Sequence, residues 1–191
     1  MRNKKNILII GYGKWGKKVT NILKKISNIK HILRSKNNYK KLNLDKINWV
    51  FVLTPNITHF KIVKYFLNKK INVFCEKPLT FTYDKSLLLF KTAKKNKVDL
   101  YVDDVESYKK KKIFIKKNNI IVREKKDKGS ARSLLYRLAY HDFYLLYSHL
   151  KFLKKNKIKL KKFKKKIIIN LTNNHKNYHF IYDINSNQKM H

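Results

Sequence analysis

Only six of the 191 residues in this chain are glycine or proline, and five of those six fall inside three short motifs. Gly11, Gly13 and Gly16 form Gly-Tyr-Gly-Lys-Trp-Gly straight after the apolar run Ile7-Leu8-Ile9-Ile10. Pro55 lies in Thr54-Pro55-Asn56-Ile57-Thr58-His59, behind Trp49-Val50-Phe51-Val52-Leu53. Pro78 closes Glu76-Lys77-Pro78, behind Val73-Phe74-Cys75. A chain this poor in both residues keeps them where no other backbone will serve. Each motif follows an apolar run that reads as a buried strand, so all three fall at the edge where open α/β sheets bind ligands.

The rhythm of the first half supports that placement. Short β-like runs at 6–10, 30–33, 49–53, 72–75 and 99–102 alternate with helical stretches at 14–27, 59–68 and 84–95. Such alternation predicts βαβ units and a Rossmann-type, doubly wound parallel sheet over residues 1–102. The link 35–48 is weakly patterned and leaves room for one short helix. After Asp103 the rhythm changes. Residues 113–122 read as a short helix running into a strand, or as one bent strand, and 130–153 carries apolar positions at helical spacing. Residues 158–171 and 178–184 then read as strands. The lysines of 154–166 alternate with Ile, Leu and Phe as in a strand with one solvated face. Residues 103–191 are therefore expected to form a shortened α+β substrate domain.

In a Gly-x-Gly-x-x-Gly fingerprint the first glycine makes a tight turn and the second admits a pyrophosphate. The third lets helix pack on strand, while the helix N-terminus supplies N–H groups. Here strand before and helix after are both legible, which puts Gly11, Gly13, Lys14, Trp15 and Gly16 against a dinucleotide. About twenty residues beyond such a fingerprint an acid usually holds the ribose 2′-hydroxyl. This chain has Arg34-Ser35-Lys36 there. Arginine occurs at only five positions, so Arg34 carries information that Lys36 does not. A guanidinium and a hydroxyl suit a 2′-phosphate, which predicts NADP(H), with NAD(H) the alternative.

With the fingerprint, Thr-Pro-Asn-x-x-His and Glu-Lys-Pro all in place, the chain resembles the glucose–fructose oxidoreductase and inositol dehydrogenase (Gfo/Idh/MocA) family. The resemblance runs from about Asn6 to near Thr82 and resumes near Leu134. It implies that Lys77 is catalytic, that Glu76, Thr54, Pro55 and Asn56 line the nicotinamide ribose, and that His59 belongs to the cofactor side. It also implies that Leu138-Ala139-Tyr140-His141-Asp142 lies on a catalytic helix, with His141 the general base or acid and Asp142 on the substrate side. Imidazole suits proton transfer because its unperturbed pKa lies near neutrality. Arg137 stands one turn before His141, where the family commonly has Asp or Asn. There it would depress neighbouring basic pKa values or bind an anionic substrate group. Asp103, Asp104 and Glu106 are candidates to neutralise its charge.

The resemblance implies an oxidoreductase acting on a hydroxyl or keto group of a sugar, nucleotide sugar or cyclitol. Family members are usually nearly twice as long, which keeps open a relative that binds dinucleotide without turnover, as a sensor or subunit. The net charge of +37 raises a third class, nucleic-acid binding. However, the lysines are spread along the chain. Lys, Asn, Ile, Tyr and Phe are abundant together while Gly, Ala, Arg and Pro are scarce, as AT-rich codons would produce. No specific nucleic-acid partner is expected. The single Cys75 excludes an intrachain disulfide and suits a reducing, cytoplasmic compartment. No signal peptide, membrane span or metal site is expected, and a homo-oligomer is compatible with the sequence.

Overall fold

The computed structural model describes residues 4–34, 38–103, 116–124, 134–146, 157–172 and 176–185. Contacts divide the chain into two compact units, Met1–Asp104 and Val105–His191.

The first unit is a five-stranded parallel sheet: β1 (Asn6–Ile10), β2 (Asn28–Leu33), β3 (Trp49–Val52), β4 (Asn72–Cys75) and β5 (Leu100–Val102), in the order β2-β1-β3-β4-β5. Helices α1 (Lys14–Ile26), α2 (Asn56–Asn68) and α3 (Tyr83–Asn96) connect the strands. In β1, Leu8 and Ile10 face the cluster made with α2 and α3, while Ile7 and Ile9 face the one made with α1. That two-sided burial is why the central strands read as continuous apolar runs. Helix α1 meets the sheet along a narrow stripe of Gly16, Thr20 and Leu23, leaving its lysines to solvent. The weakly patterned link between β2 and β3 holds one 3₁₀ turn, Tyr39–Lys41. There Tyr39 packs edge-on to Tyr65, and Leu42 and Leu44 extend the cover over the α2 face.

Glycine scarcity has a visible consequence. Lys46, Lys70 and Lys97 hold φ of 61°, 57° and 55°, positions where glycine commonly sits. Each such residue costs roughly 1 kcal/mol over glycine, yet the fingerprint glycines are kept.

In the second unit a four-stranded mixed sheet runs β6-β9-β8-β7, with β6 (Asn118–Glu124), β7 (Lys157–Lys162), β8 (Lys166–Thr172) and β9 (Asn177–Asp183). The predicted strand 158–171 is a hairpin, β7 and β8 pairing antiparallel around Phe163-Lys164-Lys165. The expectation of one solvated face on 154–166 fails for β7. All six of its residues are exposed, including Ile158 and Leu160, and among the described residues β7 is the edge strand of its sheet. The helical stretch is a π-helical turn, Leu135–Ala139, running into the short helix α4 (Tyr140–Leu145). Leu134, Ala139 and Leu146 close on Ile167, Ile169, Phe180 and Tyr182 of β8 and β9. Among the described residues no helix is long and apolar enough to cross a membrane, and no cluster of His, Cys, Asp or Glu could hold a metal ion.

Candidate functional site

The order of the first sheet reverses between β1 and β3. Open α/β sheets bind ligands outside the carboxyl ends of the strands at such a switch point. Both strands end there in motif residues. Gly11 has φ +104°, and its amide N–H donates to the Leu33 carbonyl at 2.8 Å, fixing the glycine turn to the end of β2. A Cβ on Gly11 would lie 2.5 Å from the Leu53 carbonyl, and one on Gly16 would collide with the Gly11 carbonyl oxygen. Those two glycines are required by the protein's own packing.

Gly13 is different. A Cβ there would meet nothing within 4 Å, and φ −79°, ψ −168° is open to any residue. It is also the N-cap of α1, and as a glycine it brings no side chain to bond the first N–H groups. The space above Gly13 and the uncapped helix end form a cradle that suits a pyrophosphate. We expect Gly13→Val to cost no more than about 1 kcal/mol of stability, as a poorer N-cap, yet to weaken dinucleotide binding at least tenfold. Gly16→Ala, by contrast, should unfold or strongly destabilise the first unit. Thermal melts beside a cofactor titration of Trp fluorescence check both.

Around the cradle, Lys14 and Trp15 open α1 and are exposed. Arg34 is exposed directly after the Leu33 carbonyl that holds the glycine turn, which places it beside the cradle at the end of β2. Ser35 lies outside the described residues.

After β3, Thr54 is buried and its hydroxyl lies 2.6 Å from that of Thr58. Thr58 donates to the Pro55 carbonyl at 2.7 Å, so the proton between the two hydroxyls comes from Thr54. Asn56 opens α2, half-buried. His59 was expected on the cofactor side. Its ring is fully buried, with Nδ1 2.9 Å from the Pro78 carbonyl oxygen and Nε2 2.8 Å from that of Thr54. It therefore does not face a ligand. It braces the Thr54-Pro55 turn against the Glu76-Lys77-Pro78 turn, and burial pulls its pKa below the ordinary value while the two carbonyls pull it back up.

Glu76 and Lys77 follow β4, both half-buried, and the Lys77–Pro78 peptide is cis. Glu76 is pushed up to about 7, first by burial and then by hydrogen bonding to Asp103 and that residue's charge, with Lys77 opposing.

In the second unit His141 is half-buried on α4, its ring edge-on to Tyr140 at 6.0 Å. Asp142 was expected to face substrate. Its side chain is instead buried and held by Arg123 of β6, whose Nε and Nη2 donate to the two carboxylate oxygens at 2.7 and 2.6 Å. The Tyr182 phenol lies against the same carboxylate, and burial and then Asp142 raise its pKa well above normal. Arg137 falls in the π-helical turn, and its side chain lies outside the described part.

Residues 29–104 match the model of a family described as "Oxidoreductase family, NAD-binding Rossmann fold", Gfo/Idh/MocA. Over those residues the nucleotide-binding unit is similar to that family. YgjR, an uncharacterized oxidoreductase of Escherichia coli, is 39% identical over 57 residues, 30% of this chain and 17% of its own. Two solved structures show the same fold at low identity. UDP-N-acetylglucosamine 3-dehydrogenase GnnA from Acidithiobacillus ferrooxidans is 16% identical, with a TM-score of 0.74 over 96% of this chain and 71% of its own. An NAD-binding protein from Listeria innocua is 16% identical, with a TM-score of 0.74 over 98% of this chain and 67% of its own. The chain spans 17% of the curated relative and between 64% and 72% of solved structures that it resembles.

The Gfo/Idh/MocA motifs thus converge at one sheet edge: the glycine cradle, Thr54-Pro55-Asn56 and Glu76-Lys77 close β1, β3 and β4. Sequence reasoning missed Arg123 as the partner of Asp142 and left Asp103 unplaced. The rarity of arginine was a usable signal for the first. For the second, only strand pairing brings Asp103 to Glu76.

Proposed function

We propose that this chain is the core of an NADP(H)-preferring oxidoreductase acting on a hydroxyl or keto group of a sugar, nucleotide sugar or cyclitol. The observation that carries the cofactor reading is the contrast between the two packed glycines and the open space above Gly13. Lys14, Trp15 and the α1 amides would hold the pyrophosphate. Arg34 and Ser35 would take the 2′-phosphate, and Thr54, Pro55, Asn56 and Glu76 would line the nicotinamide ribose. When bound, the nicotinamide supplies or accepts the hydride. The chain's own part is proton and charge management. His141 takes the hydroxyl proton in oxidation or returns it in reduction, and the Lys77 ammonium stabilises the developing alkoxide.

Arg137 is kept as the candidate for an anionic substrate group. Asp142 enters through Arg123, by fixing the helix that carries His141. The name of the Acidithiobacillus neighbour makes nucleotide sugars the first substrates to assay. A single, buried, free Cys75 suits a reducing cytoplasm.

The test is cofactor choice. NADPH should bind more tightly than NADH, and Arg34→Asp should reverse the preference. Losing one charge-assisted contact is worth about 1.5–3 kcal/mol, roughly tenfold or more in affinity. Salt must be held constant, because a chain of net charge +37 attracts any polyphosphate. Equal affinities in the unmutated protein would remove the NADP(H) assignment.

A further inference from the structure

Two carboxylic acids end neighbouring parallel strands in the first unit. β4 runs into Glu76 and β5 into Asp103. The strand ends are locked together: the Asp103 amide N–H donates to the Cys75 carbonyl at 2.8 Å, and that of Glu76 to the Val52 carbonyl at 3.0 Å. Pairing of Cys75 with Val102 places Glu76 and Asp103 next to each other at the same edge, where the two carboxyl groups come within reach of each other. Two ionised carboxylates side by side repel each other and have no hydrogen to offer, so the pairing is favourable with one proton held between them.

We propose that Asp103 is a positioning residue of the cofactor edge: it clamps Glu76 through one shared proton, so that two acids place a single negative charge beside Lys77. The proposal rests on the dinucleotide reading, and it gives that reading a physical need. A second negative charge on this edge would repel an anionic dinucleotide and hold Glu76 less firmly. Among the described residues, the titratable and charged groups bearing on Glu76 are Asp103 at the end of β5, Lys77 on its own strand end, and the thiol of the preceding Cys75. The Cys75 thiol is pushed well up by burial and by Glu76, so it stays neutral. Glu76 is raised to about 7. A raised acid binds its proton more tightly in the folded state, so its contribution favours folding at acid pH. That contribution is lost as pH climbs from the ordinary glutamate range toward 7.

The decisive measurement is a ¹³C-carboxyl NMR titration of the full chain labelled in glutamate, with dinucleotide affinity measured across the same pH range. The sequence has three glutamates, Glu76, Glu106 and Glu124, and Glu76→Gln identifies the resonance of interest. We expect a Glu76 midpoint near neutrality, and one at least about one unit lower in Asp103→Asn. NADPH affinity should fall severalfold as pH rises through the Glu76 midpoint, and this dependence should flatten in both variants. A wild-type midpoint in the ordinary glutamate range would overturn the proposal, with no variant needed. So would a midpoint that Asp103→Asn leaves in place, or a pH dependence that survives in both variants. If Glu76 titrates near neutrality but the wild type binds neither NADPH nor NADH at any pH, the dinucleotide reading fails and the cofactor role of the clamp fails with it.

Discussion

Lys77→Ala and His141→Ala should each cut turnover by about 10²–10⁴-fold, the range that one positioned proton-transfer or charge-stabilising group contributes. NADPH affinity should change by less than about threefold in His141→Ala, because the pyrophosphate cradle is built by Gly13 and the start of α1. In Lys77→Ala, which removes a positive charge from the cofactor edge, it should change no more than severalfold. A split of this kind, rate lost and binding kept, marks groups that act in the transition state. Lys77→Arg should recover little, since a guanidinium is larger and planar where an ammonium is compact. A wild-type protein that binds NADPH yet turns over no sugar, nucleotide sugar or cyclitol would favour the non-catalytic reading.

The two halves of the chain were legible to different degrees, and the reason is physical. Strands buried on both faces by connecting helices need unbroken apolar runs, so β1, β3 and β4 stand out in sequence with bounds within a residue of those found. The glycine turn was equally plain, because a φ of +104° and a collision at Gly16 leave no other residue type workable. Helix α2 begins three residues before the expected 59, at Asn56, because a proline N-cap sets its start where apolar spacing gives no cue. In the second unit, lysine at every other position made β7 resemble a half-buried strand. Alternation records only which residues differ, and whether an apolar face is covered depends on what packs there. Nothing local shows that β7 ends a sheet.

Site residues divide in the same way. Gly11, Gly16, Glu76 and Lys77 are placed by the chain on either side of them, so local motifs locate them. His59 and Asp142 carry the right residue types for a ligand site, but their partners lie elsewhere: Pro78 for the first and Arg123 for the second. A buried polar group must be bonded, and which bond it makes is a property of packing. Motif reading assigned both to a ligand, whereas packing ties His59 to the Thr54 and Pro78 turns of the first unit and Asp142 to Arg123 in the second.

Asp142→Ala should be the most damaging single change in the second unit, at about 3–5 kcal/mol. The Asp142 side chain is 7% exposed and the Arg123 side chain 18%, so removing the acid strands a cation with little water to replace it. Arg123→Ala should do comparable harm by stranding the acid against the Tyr182 phenol. The paired change Arg123→Met with Asp142→Leu should be close to neutral, because desolvation offsets most of the attraction in a buried ion pair. Tyr182→Phe should cost only about 1 kcal/mol. Both tryptophans, Trp15 and Trp49, lie in the first unit, so their fluorescence will not report this loss. Tyrosine near-ultraviolet circular dichroism or hydrogen exchange on β8 and β9 will. Turnover separates fold from function here: the paired variant should stay folded yet lose activity, because apolar contacts do not fix the angle of the helix that carries His141. A paired variant with full stability and full turnover would show that the ion pair has no part in placing His141.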